Sequence, residues 1–465
     1  MWLSTCWVYL AHSETRKVND MNGLTASLAQ FASQPNFAPL PDRVIEIVQS
    51  GFIDTIGTML AGRDEPVVQM AQSFVADKQS SVQEASVLMG ATRVSASDAA
   101  LINATAGHAL DFDDVALGGH PSTVLVPAVW AAGQHVKATG DQVLRAYLIG
   151  YEVWAELFVR EQDAYHLKGW HPTAVLGTVG ASAAVANLYG LNAPQIQHVV
   201  ALAASMASGL VANFGTMTKP LHAGRAAACA IEAVRWVQKG LTASPDALEH
   251  AAGFLSALSP HGAVDRSTAV PDLGQRFRIL ESGLSIKKYP TCYATHRVID
   301  GVLDLCARHA VGLHDVAQVH THIGVAQASM LRNHQPQTGL EAKFSMEFAV
   351  AASLVRGKVG LSELSDGFVQ EPAVKEAMTR VSISTVDTQC PIEPVFALHD
   401  KVQIELKTGQ VLDSGDIRFA RGNAMMPLRP VDLQTKFMDC VHAAPVDGAA
   451  LFSQLSNLTA QPALR

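Results

Sequence analysis

Four short phrases hold most of the side chains here that could move a proton or grip an anion: HALDFDDVALGGHPST (108–123), GWHPTA (169–174), GTMTKPLHAGRAAACA (215–230) and SIKKYPTCYATHRVID (285–300). Two of them share an idiom, a glycine-led His-Pro-Ser/Thr that opens a run of small apolar residues. Proline suits the first position of a helix, where its missing N–H would have no partner, so His120 and His171 are predicted to be helix N-caps. A helix start turns backbone N–H groups and a positive dipole end toward whatever lies before it. It therefore attracts carboxylates and lowers the pKa of a nearby imidazole. A neutral histidine beside an anion site is suited to proton transfer near neutral pH.

The neighbours of these histidines suggest roles. His108, Asp111, Asp113 and Asp114 come just before the first His-Pro, and a carboxylate among them is read as orienting a histidine or shuttling a proton itself. Lys219, His222 and Arg225 follow the second phrase, and Lys287, Lys288, Tyr289, Tyr293, His296 and Arg297 crowd the fourth. The predicted catalytic set is Asp111, His120, His171 and Lys219, with Arg225, Lys287, Lys288, Tyr293 and His222 on the substrate. Basic groups converging from two segments would clamp a small polyanion and neutralise charge that develops on it. The blander alternatives are capping histidines, a solvated acidic turn and an ordinary loop lysine. The ligand spacing from His108 to Asp114 is neither an EF-hand loop nor a zinc motif, so no metal is expected. GxGxxG after a strand, a Walker loop, a GxSxG elbow and HExxH are all missing, so neither a dinucleotide cofactor nor a serine-hydrolase mechanism is expected.

Positioning such groups requires a scaffold, and the composition supplies one. The chain has 465 residues, 48% of them hydrophobic and 16% charged, which predicts a compact protein of two domains. A net charge of −8 without a long Lys/Arg run excludes nucleic acid as the main partner. Cys6, Cys229, Cys292, Cys306, Cys390 and Cys440 form no CxxC pair, which fits a reducing cytoplasm. Residues 1–20 are expected to be a poorly ordered extension, their apolar stretch being too short to span a bilayer. Residues 197–215 carry no charge but are rich in Ala, Ser and Gly, and are read as a helix buried among helices rather than in a membrane.

Apolar residues recur at three- and four-residue spacing from residue 24 to about 280, which predicts helices almost throughout. Past residue 284 the texture changes: VAQVHTHIGVA, RVSISTVDT and DKVQIELKTGQVLDSGDI alternate in twos, the last around a Lys-Thr-Gly turn. The expected fold is mainly α, a large all-helical domain (21–284 and 421–465) with an inserted smaller α+β lid domain (285–420) and the site at their junction.

Taken with GLEAKFSMEFAV (339–350), the four phrases resemble the MmgE/PrpD superfamily, in order and spacing from residue 24 to about 440. The resemblance implies a helical domain with an α+β lid, a homodimer, and cofactor-independent chemistry on small di- and tricarboxylic acids. It carries the active-site aspartate to Asp111, which would then orient His120, the paired histidines to His120 and His171, the loop lysine to Lys219 and the hinge lysine to Lys287 or Lys288. Decarboxylase-like members have a threonine where this chain has Val115 and a tyrosine where it has Phe348. Those lost hydroxyls favour α-proton transfer on a dicarboxylate, an epimerase of the iminodisuccinate type. The alternatives are a dehydratase, a decarboxylase or a non-catalytic polycarboxylate-binding relative.

Overall fold

The structure is a computed structural model that describes residues 23–34, 39–393 and 396–464; the extension expected at residues 1–20 lies outside them. Long helices form the body, among them Asp42–Ala61, Ala96–Ala109, Pro121–Val136, Gly140–Val159, Pro172–Leu188, Ala193–Met206 and Thr218–Gln238. Their small residues serve close approach. A Cβ on Gly180 would lie 2.6 Å from the Gly150 carbonyl oxygen, so two of these helices touch backbone to backbone. Phe52, Tyr147, Tyr151 and Trp154 fill the space the alanines leave, all wholly buried. Helix Pro172–Leu188 is buried along its length, as expected of an element wrapped by other helices.

A second region begins after Lys287. Strands Val316–Gly324, Val381–Val386, Lys401–Leu406 and Val411–Asp413 form one sheet, with Val316–Gly324 second in line. It runs parallel to Val381–Val386 and antiparallel to Lys401–Leu406, which forms the expected hairpin with Val411–Asp413. Val319, Ile323, Val402 and Ile404 point to one face and pack on Val298, Val302 and Leu305 of helix His296–His309 and on Met346 and Val350 of Met346–Arg356. The chain then returns to the body through helix Pro430–Val441, which packs on Asp42–Ala61. The molecule is mainly α, as its periodicity predicted.

Three expectations differ from what is found. Residues 241–278 are mostly turns, with only the short helix Phe254–Leu258 among them, because glycines, prolines and serines interrupt the apolar spacing there. The segment 197–215 is α-helical only to Met206; beyond it the backbone extends to pair Leu210 with Trp170 and then makes the short 3-10 turn Val211–Asn213. A two-residue strand pair, Ala85–Ser86 with Arg93–Val94, had no sequence signal long enough to find. The helical stretch Asp42–Asp64 is long and apolar enough to cross a membrane, yet its Phe52, Ile56 and Leu60 are buried against the other helices.

Candidate active site

Both His-Pro phrases begin helices as predicted, with His120 and His171 at the N-caps and Pro121 and Pro172 first inside. Neither imidazole caps its own helix, so both rings are free for other work. The two phrases interlock: the His120 backbone N–H donates to Thr173 Oγ1 at 3.1 Å, across a contact that only glycine allows. A Cβ on Gly119 would come within 2.9 Å of Thr173. Helix Ala96–Ala109 runs into the loop of the aspartates, where Asp111 takes a left-handed conformation with φ 53°. Val115 exchanges both backbone hydrogen bonds with Ser285, which sets this loop beside the segment that carries Lys287.

Side chains from all four phrases meet here. Asp111 Oδ1 accepts from Lys219 Nζ at 2.7 Å and its Oδ2 lies 3.0 Å from Lys287 Nζ. Lys287 also donates to the Asp111 carbonyl at 2.6 Å. Two residues on, Asp113 faces imidazoles: His108 Nδ1 lies 3.0 Å and His120 Nδ1 3.1 Å from its oxygens. His120 Nδ1 is also 2.8 Å from the Asp114 carbonyl, and its Nε2 lies 3.9 Å from Asp111 Oδ1. The His108 ring is 4.5 Å from that of His120 and stacks at 6.0 Å on that of His171. His171 Nδ1 is 3.2 Å from His222 Nδ1, so one of the two rings must donate and the other accept. Phe214 packs edge-on against His171, with Lys219 over its face at 5.4 Å.

The charges sort accordingly. Burial would raise the pKa of Asp111, but Lys219 and Lys287, then His120, hold it well below the usual carboxylate range. Burial acts against Asp113 too, and His108 and His120 hold it well below the usual carboxylate range. Burial would lower Lys287; Asp111 and Asp113 raise it instead, so it stays an ammonium. Burial depresses His171 strongly, with His108 and Lys219 as neighbours that further disfavour a proton there, and burial brings His108 down to about 4. His222 is lowered by burial and Lys219. One carboxylate thus answers two ammonium groups, and the other answers two imidazoles.

Such a pairing of aspartates, lysines and His-Pro histidines points to one protein family, and comparison with known proteins decides it. Residues 26–267 match the MmgE/PrpD N-terminal domain, and residues 289–450 match the MmgE/PrpD C-terminal domain. The chain belongs to the MmgE/PrpD family. It is 26% identical to the cis-aconitate decarboxylase of Homo sapiens over 428 residues, which cover 90% of this chain and 87% of that protein. The Mus musculus cis-aconitate decarboxylase is also 26% identical, covering 90% and 86%, and that of Aspergillus terreus is 24% identical over 79% of each chain. The protein is an enzyme of the isomerase or lyase type.

Within this MmgE/PrpD site several sequence expectations need correcting. Asp113, rather than Asp111, orients His120, because both oxygens of Asp111 face lysines. Lys219, read as a candidate base, joins the cluster with its Nζ 2.7 Å from Asp111 Oδ1. Arg225 is exposed and reaches back to Cys229 Sγ at 3.4 Å, one turn further along the outer face of its helix. Lys288 turns away from Lys287 toward Asp432, 3.9 Å distant. The Tyr293 hydroxyl accepts from Asn423 at 2.9 Å, so it is engaged in the second region rather than in the cluster. The first helix start is not open to a substrate either: Asp114 accepts from the Ser122 N–H at 3.2 Å and from its hydroxyl. His222 sits beside His171 as a partner for that ring.

Other residues escaped the prediction. His108 and Asp113 stood in the quoted phrase but received no role, since spacing alone does not say which of four polar residues turns inward. Lys343, in the EAKFS phrase, is buried with no hydrogen bond or ion pair for its ammonium among the described residues. Burial lowers its pKa, with Glu65 and Asp111 opposing that shift and Lys287 and Lys219 adding to it. Only its position one residue before a phenylalanine and a helix cap could have marked it.

His108, Asp111, Asp113 and His120 each offer a ligand atom within 4.8 Å of the others. The donor set does not suit a divalent ion, because two ammonium groups already contact Asp111 and would repel a second cation. A cavity of about 640 Å³ lies elsewhere, lined by Ile47, Leu284, Met425, Leu428 and Phe452, and holds none of the clustered residues. Chemistry rather than cavity size locates this site.

Proposed function

We propose that the chain is a lyase acting on a small tricarboxylate, of the cis-aconitate decarboxylase type. The observation that carries this reading is likeness to cis-aconitate decarboxylases over nearly the whole length of both partners, 90% of this chain and 87% of the human enzyme. The site supports it: Lys219 and Lys287 contact Asp111, and Lys343 is buried nearby in their field with no anion of its own. A substrate rich in carboxylates supplies the missing negative charge.

Val115 and Phe348 favoured an epimerase, and one of them loses its force. Phe348 is wholly buried and packs edge-on against Phe368 at 6.1 Å in an apolar cluster, so a hydroxyl at that ring would enter the core. Phe348 therefore carries no information about the reaction, and the decarboxylase alternative has the better support.

In the proposed reaction, Lys219, Lys287 and Lys343 hold the substrate carboxylates. The bond between a chain carbon and the departing carboxylate breaks, carbon dioxide leaves, and the electron pair spreads over the skeleton toward a carboxylate that a lysine holds. One proton then returns to carbon, so the trianion plus a proton becomes a dianion plus carbon dioxide. His120 delivers it through Nε2: its Nδ1 is fixed by Asp113 and the Asp114 carbonyl, and carboxylates face the ring from both ends as it gains or gives up charge. His171, kept neutral by burial, hydrogen-bonds a carboxylate.

The test is a panel of acids incubated with the purified full chain: cis-aconitate, 2-methylcitrate and an iminodisuccinate precursor, with carbon dioxide, alkene and optical rotation followed. Carbon dioxide from cis-aconitate is expected. Loss of water without carbon dioxide would make the protein a dehydratase, racemisation alone would make it an epimerase, and binding without turnover would make it a non-catalytic relative.

A further inference from the structure

The peptide between Asp111 and Asp113 has a tenant of its own. The Phe112 carbonyl accepts a hydrogen bond from Lys436 Nζ at 2.7 Å, and the same ammonium lies 3.9 Å over the Phe112 ring. Lys436 sits on helix Pro430–Val441, the element that returns from the sheet region to the helical body. Its charge is matched by Asp54 on helix Asp42–Ala61, with both side chains almost wholly buried. Phe437, next along that helix, packs in the body's core and fixes its depth. One turn earlier, Asp432 faces Lys288, the neighbour of Lys287.

A buried lysine and aspartate are an expensive way to hold two helices together, since apolar residues of similar size would do so without desolvating charge. What the ion pair supplies, and apolar residues could not, is a donor for one carbonyl. That carbonyl belongs to the residue between a carboxylate serving two lysines and a carboxylate serving two histidines, next to the left-handed Asp111. No strand or helix fixes this stretch, as residues 111–114 run through bend and coil.

We propose that Lys436, anchored by Asp54, is a positioning residue: it holds the Phe112 carbonyl and so keeps Asp111 turned to Lys219 and Lys287 while Asp113 stays turned to His108 and His120. The helix that follows the sheet region thereby sets the register of the catalytic loop. The proposal rests on the proton-transfer reading of the cluster for its consequence in rate, but its structural claim can be read without turnover.

The experiment compares Lys436→Met, Asp54→Asn/Lys436→Met and the unaltered full chain. With cis-aconitate, both variants should lose kcat by about 100-fold, the cost expected of an ångström-scale misplacement, while KM changes by less than about 3-fold. The double variant removes both buried charges together, so its melting temperature should recover relative to Lys436→Met while its kcat does not. Recovery of kcat along with stability would overturn the proposal, since the single variant would then have suffered only from an unpaired buried carboxylate. A kcat within about 3-fold of the unaltered chain in a folded Lys436→Met would overturn it as well. If the unaltered chain turns over no acid, the functional reading fails, and the positioning claim is read from selectively ¹⁵N-labelled histidines. The imidazole signals of His108 and His120, which Asp113 touches, should move in both variants, and unchanged signals would overturn the proposal.

Discussion

The two His-Pro turns use the same residues at the same helix position, yet their imidazoles meet opposite surroundings. His120 lies between Asp113 and Asp111, 3.1 and 3.9 Å away. His171 touches another imidazole at 3.2 Å and lies in the field of Lys219, without a carboxylate beside it among the described residues. Two carboxylates flank the first ring, whereas a positive charge arriving on the second is opposed by burial and by its neighbours. The idiom sets where each ring stands; the loops that come to meet it set what it can do.

Breaking this asymmetry should give the largest effect. His120→Gln should cost about 1000-fold in kcat, the range for removing a general acid, whereas His171→Gln should act mainly on KM, by about 10-fold. Equal losses of kcat in steady-state assays would mean the two rings share the proton work. Next comes the lysine side. Lys343→Met should raise KM by about 10- to 30-fold with kcat within about 3-fold, as expected when a charge-assisted contact to substrate is lost. A fall in kcat at constant KM would instead place Lys343 in the chemistry.

A third prediction concerns pH. His108 has a pKa of about 4 in the folded chain against an ordinary 6.5, with burial as the leading cause. Between those values the unfolded chain binds a proton that the folded chain refuses, so stability falls as pH drops through that window, by on the order of 3 kcal/mol from this ring. Thermal melts of His108→Gln should show a flatter acid limb than the unaltered chain; parallel limbs would show that the ring does not resist protonation. The smallest effect is expected at Arg225→Ala, which should change kcat/KM by less than about 2-fold and stability by less than about 0.5 kcal/mol. A larger loss of activity would bring Arg225 back to the substrate.

How much could be read in advance follows from the same contrast. Helix starts at Pro121 and Pro172, the strand Val316–Gly324 and the hairpin after Leu406 are local matters of periodicity and turn chemistry, and they were legible. So was the gathering of Asp111, His120, His171, Lys219 and Lys287, because their phrases announce themselves. Which aspartate faces which base was not legible, since a left-handed Asp111 reverses the local direction and no spacing rule reports it. Arg225 and Lys288 looked equivalent to their neighbours in sequence and separated by helix face or by side of the chain. Lys343 and Lys436 act across 232 and 324 residues of chain on Asp111 and Phe112, respectively, distances over which a single sequence shows no pairing.

The central claim is that lysines hold a tricarboxylate while His120 returns one proton to carbon. It is tested most directly by turnover of cis-aconitate in deuterated water, with the product followed by ¹³C NMR for the unaltered chain and for His120→Gln. The account predicts that each carbon dioxide released is matched by a single deuteron on carbon in the product, and that His120→Gln forms it about 1000-fold more slowly. Deuterium entering beside a carboxylate without loss of carbon dioxide, or unchanged turnover in His120→Gln, would contradict it.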